Sequence, residues 1–188
     1  MKINTINDLG QTKKLGIYLN LRHRKKRFLR YSENKTTDHM NSIFHPEGNK
    51  KLIERIETLT PITHNEWGTM NVSQMLVHCQ MPIKVAFGEL KIKVGLIALL
   101  FGKMAKKSVT SKNPIKRNLP TAKEFVVKGH PDFEQSKTEL ITLISKFADE
   151  GPKAIKNPKH PFFGNLTTDE WDYMQWKHLD HHLKQFGA

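Results

Sequence analysis

Cysteine is nearly absent from this chain of 188 residues, which contains Cys79 alone. A single cysteine excludes an internal disulfide framework and favours a reducing compartment, so we expect a cytoplasmic protein. The N-terminus has no continuous apolar stretch of the kind found in secretory signals. The longest apolar run, Val94 to Phe101, is far shorter than the roughly 20 residues that span a bilayer, so no integral membrane contact is expected.

Recognisable catalytic and nucleotide-binding motifs are also missing. The sequence has no Gly-rich phosphate loop, no Gly-x-Ser-x-Gly elbow, no His-Glu-x-x-His and no Cys-x-x-Cys. Strand signals are few, since Phe125 to Val127 is the only β-branched cluster and it is short. The chain therefore does not resemble a β-rich protein or a motif-defined hydrolase.

Positive charge is present in excess but is unevenly distributed. The net charge is +13, and Met1 to His39 alone contains 10 Lys or Arg against 3 Asp or Glu. We interpret residues 1–39 as a basic, disordered extension or the product of a wrongly assigned start, with a domain over 40–188. A presequence and a nucleic-acid-binding arm are alternatives, although charge confined to such a segment makes nucleic acid the weakest of the hypotheses.

Four amphipathic helices are indicated after residue 40. Two of them begin with a capping-box signature, Asn71 with Gln74 and Thr167 with Glu170. Because long polar connections separate the helices, the sequence predicts an all-α four-helix bundle with long inter-helix connections. The expected helices run from about Pro46 to Leu59, from Asn71 through Val85, from about Pro131 to Ala148, and from Thr167 to near Gly187.

The segment from Lys91 to Lys107 is apolar but studded with lysines. We interpret it as a short helix packed on the core, with its lysine stems lying along the apolar surface. A lid or a helix at a membrane surface is the alternative.

Three histidines in the last helix carry the strongest chemical signal. His178 and His182 are four residues apart, so both imidazoles lie on one face of the helix, one turn apart. His78 of the second helix could complete a three-His set, because bundles build metal sites from inward-facing side chains on different helices. Three ligands would leave a coordination position open for water or substrate. Zinc, nickel and iron all suit imidazole ligands.

Several neighbouring residues are candidates for supporting roles. Gln74, Gln185 and His181 are assigned as residues that orient a ligand or contact substrate. Asp180 points away from the face of His178 and is expected in solvent. Cys79 is interpreted as a small buried apolar residue.

The order of these signals resembles the DinB/YfiT-like superfamily, and within it a branch described as a domain of unknown function. Three blocks carry the resemblance: Trp67 to Cys79, His160 to Thr167, and Trp176 to Phe186. The resemblance implies a four-helix bundle with a divalent-metal site whose ligands fall on His78, His178 and His182. Similar proteins include thiol-dependent transferases, a thiol-dependent isomerase and metal hydrolases.

Two functional hypotheses follow. The first is a metal-dependent hydrolase or thiol transferase that activates water or a low-molecular-weight thiol against a small-molecule substrate. The second is a non-catalytic metal- or ligand-binding bundle, which could be a homodimer, and a fourth ligand such as His64 or His160 would support it.

Overall fold

The computed structural model describes residues 39–92, 102 and 105–188. Residues 39–188 form one compact unit. The basic segment before residue 39 lies outside the described residues, and so do the nucleic-acid, presequence and start-site interpretations attached to it. Most of the lysine-flanked segment 91–107 also lies outside them, although residues 105–110 are helical.

The described part of the chain is mostly helical, as expected, with long connections between its helices. The four long helices are α1 (Pro46–Glu57), α2 (Val72–Ala86), α3 (Phe133–Glu150) and α4 (Thr168–Gln185). Short 3-10 turns cover Lys123–Phe125 and Gly151–Ala154, and β1 (Lys159–His160) pairs with β2 (Gly164–Asn165). Within these described residues, no helix has the length and apolar character needed to cross a membrane.

The starts of α2 and α4 confirm the capping boxes predicted from the sequence. The Asn71 side chain accepts from the backbone amide of Gln74, and the Gln74 side chain accepts from the backbone amide of Asn71. Thr167 and Glu170 make the same reciprocal pair at α4. These bonds satisfy amides that the first turn of a helix leaves without partners, and they fix where each helix begins.

The hydrophobic core lies where the four helices meet. α1 and α2 each pack against both α3 and α4. The residues that fill this core are fully or almost fully buried and come from every long helix: Leu52, Ile56, Met75, Leu76, Ile83, Leu140, Ile144, Phe147, Trp171, Leu179 and Leu183. Because α2 and α4 are in direct contact, side chains on their facing surfaces can converge on one point.

The small sheet was not predicted, because it lies in the region expected to be a loop. His160 pairs with Gly164 in the antiparallel register. The buried His160 ring accepts bonds from the amides of Phe162 and Phe163 through its Nδ1 atom, and Gly164 has a φ of 72°. The turn between β1 and β2 is therefore held by bonds from two backbone amides to one side chain. The two strands are too short to show the alternating pattern that normally indicates strands. The β-branched cluster from Phe125 to Val127 gave a weak strand signal, but Phe125 is the last residue of a 3-10 turn.

Candidate metal centre

His78, His178 and His182 converge to form a three-histidine cluster. The ring centroids are 5.1 Å apart for His78 and His178, and 4.7 Å apart for each of the other two pairs. One ligand nitrogen from each ring lies within 4.8 Å of the other two. The four-residue spacing on α4 therefore places two imidazoles on the face that meets His78 of α2, and this set could hold a metal ion.

A backbone carbonyl orients the His78 ring. Its Nδ1 atom lies 3.0 Å from the carbonyl oxygen of Phe125. Because a carbonyl can only accept, Nδ1 carries the hydrogen and donates it, which leaves a lone pair on Nε2. The 3-10 turn Lys123–Phe125, in the long connection before α3, thus selects the tautomer of a residue on α2.

Gln185 orients the His182 ring through a two-step relay. The Gln185 Nε2 group donates to the backbone carbonyl of Trp67 at 2.6 Å, which fixes the orientation of the amide. Its Oε1 atom therefore faces His182 Nδ1, at 2.8 Å, and accepts the hydrogen from that nitrogen. As in His78, Nε2 keeps the lone pair. Donation of the second ring nitrogen to a carbonyl or amide oxygen is the usual arrangement around metal-binding histidines.

The Trp67–Gly68 turn makes this relay possible. Gly68 has a φ of 83°, a conformation that glycine adopts without steric cost. A β-carbon at this position would lie 2.5 Å from the Gln185 Nε2 atom. The Glu66 amide also donates to the backbone carbonyl of Gln185, so the turn is bonded to the end of α4 at two points.

Burial keeps the three imidazoles in the neutral form that binds metals. Desolvation lowers the pKa of His78, although its bond to the Phe125 carbonyl acts in the opposite direction. Burial lowers the pKa of His178 well below its usual value, and the neighbouring imidazoles lower it further. Burial likewise lowers the pKa of His182 to about 3. The ligand nitrogens therefore need not lose a proton at neutral pH before they bind a metal.

The spacing of the histidine nitrogens is compatible with a divalent cation. The Nε2 atoms of His78 and His178 are 3.2 Å apart, and two nitrogens on a tetrahedral metal at 2.0–2.1 Å would be about 3.3 Å apart. Without a cation, His178 can donate through Nε2 to the Nε2 lone pair of His78; with a cation on its Nε2 atom, His178 would carry its ring hydrogen on Nδ1. No protein group bonds that Nδ1 atom among the described residues.

The other sequence candidates lie in different surroundings. Gln74 bonds the Asn71 amide and the Gly129 carbonyl, so both ends of its amide are engaged away from the histidines. His181 does not join the cluster. Its ring lies 5.1 Å from that of His182 and 5.8 Å from that of Trp67. Cys79 is buried beside Met75, and burial raises the pKa of its thiol, as expected for an inert apolar residue.

Neither proposed fourth ligand is in the cluster. His64 is exposed in the loop before α2, and His160 is bonded to amides of its own turn. Asp180, expected in solvent, is instead largely covered, because its carboxylate pairs with Arg55 at 2.9 Å and with Lys184 at 2.8 Å. The sequence could not reveal this pairing, because Arg55 is on α1, whose position against α4 depends on the tertiary fold.

A second group of potential ligands, His39, His45 and Glu47, has less suitable geometry. The two rings are stacked with centroids 3.9 Å apart and planes inclined by only 9°. Imidazole lone pairs lie in the ring plane, so two parallel rings direct them along parallel lines rather than to one point. The group would have to rearrange before it could chelate an ion.

Comparison with known proteins agrees with the extent of this fold. The family model described as "Protein of unknown function (DUF1569)" matches residues 38–188. The chain belongs to this family. No curated protein and no solved structure matches the chain. All three histidines of the cluster, the Phe125 carbonyl and the Gln185 relay lie within the matched residues.

Proposed function

We propose that this protein is a divalent-metal-dependent enzyme whose metal is held by His78, His178 and His182. The observation that carries the proposal is the 3.2 Å separation of the His78 and His178 Nε2 atoms, in a cluster where His78 and His182 both present Nε2 lone pairs. The mutual packing of α1 to α4 further supports a four-helix bundle of the DinB/YfiT-like superfamily.

The proposed reaction is hydrolysis or thiol transfer on a small molecule. A divalent ion held by three neutral ligands acidifies water or a low-molecular-weight thiol, which can then act as a nucleophile. The Phe125 carbonyl and the Gln185 amide hold two of the rings in the required tautomer. With no carboxylate in the ligand set, a bound divalent ion would keep its full positive charge and would favour an anionic nucleophile or substrate.

Metal content is the decisive measurement. Elemental analysis of protein purified without an affinity tag should find near-stoichiometric zinc, nickel or iron, and none in the His78→Ala/His182→Ala variant. His130→Ala, a change to an exposed loop histidine, is the matched control and should keep the metal. Equal, sub-stoichiometric metal in all three proteins would contradict the proposal.

A non-catalytic metal-binding role is the second candidate. It is favoured by the low exposure of two ligands, 4% for His78 and 9% for His182, which limits approach to the cluster. Such a protein would bind stoichiometric metal yet show no turnover on panels of ester, amide and thiol-transfer substrates. Metal-dependent turnover of any of these substrates that is lost in His178→Ala would decide for the enzyme.

A further inference from the structure

A pocket of about 500 Å³ lies beside the histidine cluster. It is lined by the Trp67 turn, by Pro114, Ile115 and Arg117 of the long connection, and by the α4 face that carries His181. Its volume is in the range of small-molecule sites. None of the three cluster histidines lines the pocket, but two lining residues contact the cluster or its support: the His181 ring lies 5.1 Å from the His182 ring, and Trp67 is bonded to Gln185.

The lining carries charged groups of both signs. Three cationic side chains, Arg117, Lys177 and Lys184, lie with two side-chain carboxylates, Glu66 and Asp180, and with the terminal carboxylate of Ala188. The Asp180 carboxylate is already paired twice, with Lys184 inside the pocket and with Arg55 of α1. Its negative charge is therefore compensated and does not oppose an incoming anion.

Arg117 is the cation available to a ligand. Its guanidinium carbon lies 4.0 Å from the centroid of the Trp67 ring, and no carboxylate of the described residues is within ion-pair distance of it. Lys177, by contrast, already donates to the carbonyls of Ser108 and Ser111. When an arginine stacks on an aromatic ring, the flat face of the guanidinium contacts the ring. The N–H groups at the edge of the guanidinium stay free to form hydrogen bonds.

We propose that this pocket binds the carboxylate group of a small organic acid, with Arg117 as its bidentate partner. The planar guanidinium fork matches the two oxygens of a carboxylate. Among the described residues the pocket lining has one such unpaired fork, which balances a monoanion, whereas a phosphate dianion would call for a second free cation. The Trp67 ring and the side chains of Pro114 and Ile115 supply apolar surface for the carbon skeleton.

This assignment deepens the proposed function, and it rests on that function where it takes the acid to be the substrate of the metal centre. Three neutral histidines would leave the positive charge of a bound ion uncompensated. An acid held at Arg117 would then be attracted by both features. Carboxylate binding itself can be measured without the metal, so the two proposals can fail separately.

The test is a titration of the full chain, metal-free and zinc-loaded, with propionate, butyrate and inorganic phosphate. The indole N–H signal of Trp67, assigned by its loss in Trp67→Phe, reports binding by NMR. We expect a saturable shift with the carboxylates in both forms. Arg117→Gln should weaken carboxylate binding about tenfold or more, the effect of losing a charge-assisted bidentate bond. Arg117→Lys should weaken it as well, because a point charge replaces the fork.

Lys116→Gln, which removes an exposed charge next to Arg117 but outside the pocket lining, is the matched control and should titrate like wild type. The proposal is overturned if carboxylates give no saturable shift, if Arg117→Gln titrates like wild type, or if phosphate binds more tightly than the carboxylates. Stoichiometric zinc without carboxylate binding would remove the pocket assignment and leave the metal proposal standing. Arg117-dependent carboxylate binding in a protein whose histidines hold no metal would remove the substrate assignment.

Discussion

His78 and His178 are 100 residues apart in the sequence, yet their Nε2 atoms lie 3.2 Å apart. Burial opposes protonation of either ring, so electrostatic attraction between a charged and a neutral imidazole does not explain the contact. A hydrogen bond between the neutral rings, donated by His178 Nε2, and a cation shared by the two nitrogens would each account for it.

Removing the Gln185 amide should weaken metal binding without removing a ligand. In Gln185→Leu the His182 ring loses the acceptor that fixes its tautomer, and we expect metal affinity to fall about 10- to 100-fold. Gln185→Glu keeps an acceptor for His182 and should bind metal more tightly than Gln185→Leu. Competition with a chromogenic chelator measures both affinities.

Gln175→Leu is the matched control for this experiment. Gln175 is also a buried glutamine of α4, but its amide donates to the carbonyl of Pro82 instead of contacting a histidine. Its replacement should lower stability and leave metal affinity within about twofold. Equal losses of affinity in both Leu variants would show that Gln185 acts only through the stability of the fold.

Acid should destabilise the protein through His160. Burial lowers the pKa of this imidazole from 6.5 to about 4. The unfolded chain therefore binds the proton more readily, and the stability linked to His160 is complete above pH 6.5 and falls as the pH drops towards 4. The loss approaches about 3 kcal/mol, at 1.36 kcal/mol for each pKa unit.

Comparison with His160→Asn isolates this effect from the other buried histidines. Asparagine can still accept from the turn amides but does not titrate in this range. Urea unfolding at intervals between pH 7.5 and 4 should show a smaller decrease in the free energy of unfolding for the variant. Parallel pH profiles would mean that His160 is not the titrating group.

Gly48 should resist replacement by alanine despite lying within α1. A β-carbon there would collide with the backbone carbonyl oxygen of Ser42 and lie 2.6 Å from that of His39. We expect Gly48→Ala to destabilise the protein by about 1–3 kcal/mol, because overpacking costs more than the improved helix propensity returns. Thermal unfolding measures this, with the exposed Lys51→Ala on the same helix as the control. A raised melting temperature for Gly48→Ala would contradict the close contact.

Lys177 should anchor the segment that ends at Ser111. Its side chain is only 4% exposed, and its ammonium donates to the carbonyls of Ser108 and Ser111, both at 2.7 Å. Lys177→Met leaves these carbonyls without that partner. Amide hydrogen exchange over residues 105–111 should therefore become faster, and stability should fall by about 1–3 kcal/mol. Lys184→Met, which removes a more exposed lysine of α4, should leave exchange in this segment unchanged.

Much of this arrangement could be predicted from local patterns. The four-residue spacing of His178 and His182 fixes their shared face, and the reciprocal caps fix the start of α2 and hence the direction of His78. Of the two glutamines predicted to support the site, Gln185 bonds to His182, whereas Gln74 bonds to Asn71 in the cap of α2. The two glutamines cannot be distinguished until their partners are known.

Contacts made by the backbone were beyond prediction. The Phe125 carbonyl reaches His78 from 47 residues away, and the Trp67 carbonyl reaches Gln185 from 118 residues away. Every residue has a carbonyl, so no residue type indicates which one will orient a ring. Gly68 is of a residue type enriched in turns, but this does not indicate which side chain the neighbouring Trp67 carbonyl will bond.

The long connection between α2 and α3 bonds to residues on both helices of the histidine cluster, since Phe125 bonds to His78 of α2 and Ser108 and Ser111 bond to Lys177 of α4. A single proteolytic cut between Lys112 and Ala122 would break no helix and remove no ligand. It would nevertheless separate the two anchored parts of the connection. Metal retention after limited proteolysis would therefore report on the integrity of this connection, and insertions there should be tolerated less well than in an ordinary surface loop.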